Sequence, residues 1–108
     1  MNTLKIAVAG IGTVGSGLLE ILLKNKIFIE NKIEKRIIIS AVASRTPKKV
    51  LKKLNKGTIV FDNAKKFIDF NDYDLLVELI GGEGGIAKEI IINSLNKSKN
   101  VVTANKAL

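Results

Sequence analysis

The stretch "LKIAVAGIGTVGSGLLEILLKN", residues 4–25, passes from a compact apolar segment through glycines at 10, 12, 15 and 17 into apolar residues at helical spacing. A short Val- and Ile-containing run that ends in glycine suits a strand covered on both faces. Val14, Leu18, Ile21 and Leu22 then fall on one helical stripe. The unit is strand, glycine turn, helix, and Gly10, Gly12 and Gly15 complete G-x-G-x-x-G between the two elements. Each glycine has a distinct expected use: Gly10 for the tight turn, Gly12 for close approach of a pyrophosphate to the backbone, and Gly15 for close packing of helix on strand. Amides at the helix start, near Thr13 and Val14, would face that anion at the positive end of the helix dipole. Gly17 lies beyond the fingerprint and lowers helix propensity by about 1 kcal/mol relative to alanine. It is read as room for packing against the sheet.

The rest of the chain continues the alternation. "KIFIENKIEKR" extends or follows the first helix, and "IIISAVAS" (37–44) is the next buried strand. "TPKKVLKKLNK" has helical spacing with Val50, Leu51 and Leu54 inward, and "GTIVF" is a third, shorter strand. "NAKKFIDF" reads as a short amphipathic turn of helix, and "DLLVELIGG" (74–82) as a fourth strand ending in glycines. "IAKEIIINSLNK" has helical spacing at Ile86, Ile90 and Leu95, and "NVVTANKAL" opens with a fifth strand. Strands alternating with helices predict an α/β fold, a Rossmann-type doubly wound parallel sheet of order 3-2-1-4-5, in one domain spanning residues 1–108. Ligands of such sheets bind beyond the carboxyl ends of the strands where the order reverses, here the first and fourth.

Composition removes whole classes of chemistry. With no cysteine and no histidine, the chain has no disulfide, no thiolate nucleophile and neither of the commonest soft or imidazole metal ligands; no metal site is expected. The net charge of +8 raises nucleic acid as a partner. The cations are nearly all lysine, however, with arginine only at 36 and 45, and aromatic residues for base stacking are few. Lysines 48, 49, 52, 53 and 56 are read first as a solvated helix face and second as a field that attracts an anionic cofactor. Nucleic-acid binding through them would carry steep salt dependence, and the expectation is no nucleic-acid partner. No run approaches the roughly 20 apolar residues of a membrane span, and "MNTLKIAVAG" lacks a signal-peptide pattern. No membrane partner and a cytoplasmic location are expected.

A dinucleotide fingerprint ordinarily places an acidic residue at the end of the second strand, on the ribose 2′-hydroxyl. This chain has "ASRTPKK" there, so Ser44 and Arg45 can receive a 2′-phosphate. NADP(H) is therefore favoured, with NAD(H) left open. Asp62, Asp69, Asp72 and Asp74 are expected as turn and cap formers. Glu78 falls inside a buried strand, so it must find a basic or backbone donor or lie at an edge. Glu83 is read as part of a solvated loop.

Taken together, "GIGTVGSG", "VELIGG" and "VVTANKAL" resemble the amino-terminal nucleotide-binding part of homoserine dehydrogenase, and the similarity runs through nearly the whole chain. That family interconverts L-homoserine and L-aspartate 4-semialdehyde with a nicotinamide dinucleotide, in the pathway to threonine, methionine and isoleucine. The resemblance implies that Gly10, Ile11, Gly12, Thr13, Val14 and Gly15 carry the pyrophosphate, and that Arg45 meets the adenosine ribose phosphate. It implies that Ile80, Gly81 and Gly82 pass beside the nicotinamide ribose. Thr103, Ala104, Asn105 and Lys106 would reach the nicotinamide end, with Lys106 matching a catalytic lysine. Hydride arriving at an aldehyde carbon leaves negative charge on oxygen, which a positioned ammonium can stabilise or protonate.

Two departures qualify the resemblance. The family commonly has a proline soon after the glycine pair of the fourth strand, where this chain has "GGEGGIAK". The family's substrate and dimerisation domain, with its second catalytic lysine and cation site, would follow Leu108. On this reading the 108 residues bind cofactor but are inactive alone, and the full enzyme is a homodimer acting on a small molecule. The alternatives are a free-standing NADP(H)-binding sensor or regulatory module without catalysis, and a different dehydrogenase using the same nucleotide domain.

Overall fold

The apolar run at the amino terminus forms β1 (Asn2–Ala9), whose last four residues are fully covered. The computed structural model describes residues 2–10, 13–44, 57–80 and 85–104, and for residues 13–16 the backbone alone. After β1 come α1 (Thr13–Lys24), α2 (Lys26–Ile33) and β2 (Lys35–Ala43). β3 (Ile59–Phe61), a 3-10 helix (Ala64–Asp69), β4 (Leu75–Glu78), α3 (Ile86–Asn96) and β5 (Asn100–Thr103) follow. The strands pair in parallel in the order β3-β2-β1-β4-β5, as the alternation of elements predicts. The lysine-rich segment 48–56 lies outside the described residues. No described helix is long and apolar enough to cross a membrane.

Two cores sandwich the sheet. On one face Ile6, Val8, Ile37, Ile39 and Val42 pack with Leu19 of α1, and Leu22, Leu23 and Ile29 join at the margin. The expected stripe on α1 is therefore rotated: Ile21 is 60% exposed and Leu19 is the buried residue. A helix stops and restarts at Asn25, whose side-chain amide donates to the Ile21 carbonyl at 2.9 Å, so α2 follows α1 rather than extending it. Glu30 then accepts the Ile37 amide at 2.6 Å and fixes the start of the β2 ladder to α2.

On the other face, Ala7, Ala9, Ala41 and Ala43 form a low floor under Phe67, Tyr73, Leu76 and Ile90. Phe61 and Phe67 meet edge to face with centroids 5.3 Å apart, and Phe70 stacks on Tyr73 at 5.9 Å. Four of the chain's five aromatic rings are thus engaged with one another, all of them half- or fully buried. The inward face of α3 is Ala87, Ile90 and Ser94, whereas Leu95, expected inside, is 56% exposed. Ser94 faces in because its hydroxyl shares a 2.6 Å hydrogen bond with the buried Tyr73 hydroxyl, which neither could otherwise satisfy among apolar neighbours.

β2 holds one residue more than β1 across their pairing: Ile6 is opposite Ile39 and Ala7 opposite Ala41. Ser40 is the extra residue, and its hydroxyl reaches the Ile6 carbonyl at 3.4 Å. The shift changes the side-chain phase, so that Ile39 and Val42, three apart, enter the same core.

One charged pair stands near the amino-terminal end of the sheet and another just past the carboxyl end of β3. Asp74 accepts the Lys5 amide at 2.8 Å, and Asp72 pairs with the Lys5 ammonium at 2.6 Å, holding that ammonium above its usual pKa through the hydrogen bond and the charge together. Asp62 pairs with Lys66, while Asn63, not Asp62, caps the 3-10 helix by accepting the Lys65 amide. Lys97, just past α3, donates to the carbonyls of Phe67, Ile68 and Phe70 at 3.2, 2.7 and 3.0 Å. It closes the carboxyl end of the 3-10 helix, where the Phe67 carbonyl also accepts the Phe70 amide at 3.2 Å. Lys97→Met should lower unfolding free energy by about 2 kcal/mol, the scale of lost hydrogen bonds to a charged group; a lower urea midpoint at unchanged slope would register it.

Candidate functional site

The carboxyl ends of the strands are held in one line by hydrogen bonds that run one residue past each strand. Gly10 donates to the Ala43 carbonyl at 3.2 Å, Leu79 to Ala9 at 2.9 Å, Ser44 to Phe61 at 3.0 Å and Ala104 to Glu78 at 3.1 Å. Candidate residues from four strands are therefore side by side: Ser44, Gly10, Ile80 and the Thr103–Ala104 pair. Thr13, Val14 and Gly15 form the first turn of α1, which carries no acidic side chain to oppose an anion. Ile11, Gly12, Arg45, Gly81, Gly82, Asn105 and Lys106, and with them Glu83, lie outside the described residues.

Gly10 shows why its position excludes a side chain. Its φ is +94°, and a Cβ there would stand 2.9 Å from the Ile80 amide nitrogen and 3.0 Å from the Ile80 Cα. Both atoms belong to backbone, so relief would require moving the exit of β4. The turn out of β1 and the exit of β4 are in contact at the very place where the strand order reverses. Gly17 differs from the expectation: a Cβ there would meet nothing within 4 Å among the described residues, so it does not serve close packing on the sheet.

Glu78 resolves the question its position raised. The residue is fully buried, and its carboxylate accepts the Ile80 amide at Oε2 and the Thr103 hydroxyl at Oε1, each at 2.6 Å. Donors of this kind are what a buried carboxylate requires. Sequence reasoning left Glu78 outside the candidate set. The available signal was a carboxylate inside an apolar strand, two residues before Ile80 and, by strand register, opposite Thr103.

The sequence profile of the family described as "Homoserine dehydrogenase, NAD binding domain" matches residues 10–108. The chain belongs to this family. Homoserine dehydrogenase of Methylobacillus glycogenes is 36% identical over 109 residues, covering 100% of this chain and 26% of that protein. The Neisseria gonorrhoeae enzyme is 34% identical over 108 residues, covering 100% and 24%. The chain thus spans about a quarter of the length of the curated relatives it matches. Among solved structures, S. aureus homoserine dehydrogenase superposes with a TM-score of 0.81 at 30% identity, covering 100% of this chain and 28% of that one. The Thiobacillus denitrificans enzyme gives 0.81 at 33%, covering 98% and 24%. The chain therefore shares the fold of these homoserine dehydrogenase structures over nearly its whole length.

Within this domain Gly10→Ala and Gly17→Ala should have opposite signs. Gly10→Ala is expected to cost at least about 2 kcal/mol, through positive φ and overpacking together. Gly17→Ala is expected to add about 0.5–1 kcal/mol of helix stability. Thermal melts of the two variants beside the unaltered chain would separate the two glycines.

Proposed function

We propose that residues 1–108 form the NAD(P)-binding domain of a cytoplasmic homoserine dehydrogenase, a homodimer that interconverts L-homoserine and L-aspartate 4-semialdehyde. The observation that carries the reading is the contact of Gly10 with the Ile80 backbone at the reversal of strand order, in a chain whose residues 10–108 match the family's nucleotide domain. The described residues fit a dinucleotide: α1 begins four positions after β1 ends and offers a first turn without carboxylates to a pyrophosphate. When bound, the nicotinamide supplies or accepts the hydride.

Each segment has a task in that reading. Gly10, Ile11, Gly12, Thr13, Val14 and Gly15 hold the pyrophosphate with backbone amides. Ser44 and Arg45, where the family of dinucleotide folds often carries an acid, receive the 2′-phosphate, which favours NADP(H) over NAD(H). Ile80, Gly81 and Gly82 flank the nicotinamide ribose. Thr103, Ala104, Asn105 and Lys106 approach the reacting end, where the Lys106 ammonium would stabilise the alkoxide formed from the aldehyde oxygen or protonate it. The substrate's remaining contacts belong to chain beyond this domain, so these residues alone are expected to bind cofactor without turnover.

Calorimetric titration of the chain with NADPH and NADH, beside Arg45→Ala, tests the reading. NADPH should bind about tenfold or more tightly than NADH, the value of one charge-assisted phosphate contact, and Arg45→Ala should erase the difference. Equal affinities in the unaltered chain would remove the case for NADP(H); heat from neither nucleotide would remove the case for a site formed by these residues.

A further inference from the structure

The buried Glu78 carboxylate stands at the junction of two segments that the reading above assigns to the nicotinamide half of the cofactor, and nothing in that reading uses it. It holds one residue just past β4 and one at the end of β5. Oε2 takes the amide of Ile80, two residues on, and so fixes the first bend of the chain leaving β4. Oε1 takes the hydroxyl of Thr103, the last residue of β5 and the first of the segment leading to Lys106. The backbone joins the same two places, since Ala104 donates to the Glu78 carbonyl at 3.1 Å. Ile80 is in turn the residue against which Gly10 is packed.

Register gives the carboxylate no slack. Glu78 and Thr103 are directly paired in the β4–β5 ladder, and Leu76 before Glu78 and Val101 before Thr103 enter the core shared with α3. The alternation of side chains therefore puts Glu78 and Thr103 on that same face. Glu78 is wholly covered while Thr103 is exposed, so the contact runs from the interior to the rim of the site. Because the Thr103 hydroxyl spends its proton on Glu78, any further partner of Thr103 Oγ1 must be a donor. A primary carboxamide, such as the one on a nicotinamide ring, is a donor of that kind.

We propose that Glu78 is a positioning residue for the nicotinamide half of the site: it locks the exits of β4 and β5 into one unit and sets the Thr103 oxygen as an acceptor toward the cofactor. The inference rests on the dinucleotide reading. It assigns Glu78 no contact with substrate or cofactor and no share in adenosine binding.

The test separates the two halves of the cofactor. The full chain, unaltered or carrying Glu78→Ala, Glu78→Gln or Thr103→Val, is titrated with NADPH while nicotinamide fluorescence is followed, and separately with adenosine 2′,5′-bisphosphate, which has no nicotinamide. Glu78→Ala should weaken NADPH about tenfold and abolish the emission change on binding, while adenosine 2′,5′-bisphosphate stays within about twofold. Glu78→Gln should recover only part of the loss, since its carbonyl can still accept from Ile80 while its NH2 donates to the Thr103 oxygen and releases the hydroxyl proton that Glu78 held. Thr103→Val, which removes one hydroxyl and leaves Glu78 in place, should weaken NADPH about threefold with the same sparing of the adenosine probe. If Glu78→Ala does not fold, Thr103→Val and Glu78→Gln decide the matter by the same comparison. Equal losses for both probes would make Glu78 a purely structural group and overturn the proposal. So would variants whose emission and affinity match the unaltered chain. An unaltered chain that binds neither probe would instead overturn the functional reading itself, and a chain that binds both leaves that reading standing whatever the variants do.

Discussion

The contact between Gly10 and the backbone of Ile80 governs how the carboxyl edge of this sheet is built. A parallel sheet whose order reverses between β1 and β4 leaves two chain segments departing side by side from neighbouring strands. Here they depart so close together that one of them cannot carry a β-carbon. That proximity lets hydrogen bonds continue past the strands, through Gly10 to Ala43 and Leu79 to Ala9, and it draws Ile80 to where Glu78 can hold its amide. Spread the two exits apart and the line from Ser44 to Thr103 loses its middle.

The molecule separates its charges by purpose. Toward the amino-terminal end of the sheet, carboxylates and ammonium groups are paired or spent on helix carbonyls, as with Lys5 and Asp72 or Lys97 and its three acceptors. At the carboxyl end, Asp62 just past β3 is paired with Lys66, the buried Glu78 carboxylate is bound by N–H and O–H donors, and the first turn of α1 is free of acids. An anionic ligand at the first turn of α1 meets backbone dipoles and no carboxylate of that turn. The lysine excess has a matching lack of aromatic platforms: the rings that could have stacked on bases are largely packed against one another as core.

What was legible in the sequence was whatever depended on local pattern. The strand, glycine turn and helix at the start, the five strands and their order all follow from periodicity and from the rules of parallel sheets. The resemblance to homoserine dehydrogenase stood on short motifs at the strand ends, and the match over residues 10–108 agrees with it. Illegible were the features set by partners distant in sequence. Which side of α1 or α3 turns inward depends on the surface each meets, so Leu19 rather than Ile21 is buried, and Ser94 rather than Leu95. The extra residue at Ser40 leaves no trace in a run of apolar residues, because a bulge is visible only against the strand it pairs with. Glu78 was recognised as a problem of burial, but its solution lay in Thr103, twenty-five positions away.

The alanine floor beneath the aromatic cluster has a bearing on how such a domain can change over generations. Ala7, Ala9, Ala41 and Ala43 are small because Phe61, Phe67, Phe70 and Tyr73 occupy the space above them, and interiors tolerate little change in total volume. Bulk on this face is a shared quantity. A lineage that enlarges one of the alanines must shrink a ring opposite it, and the exchange has to occur in concert or through a weakened intermediate. This side of the sheet should therefore diverge in correlated steps, with each half of the layer acting as the memory of the other.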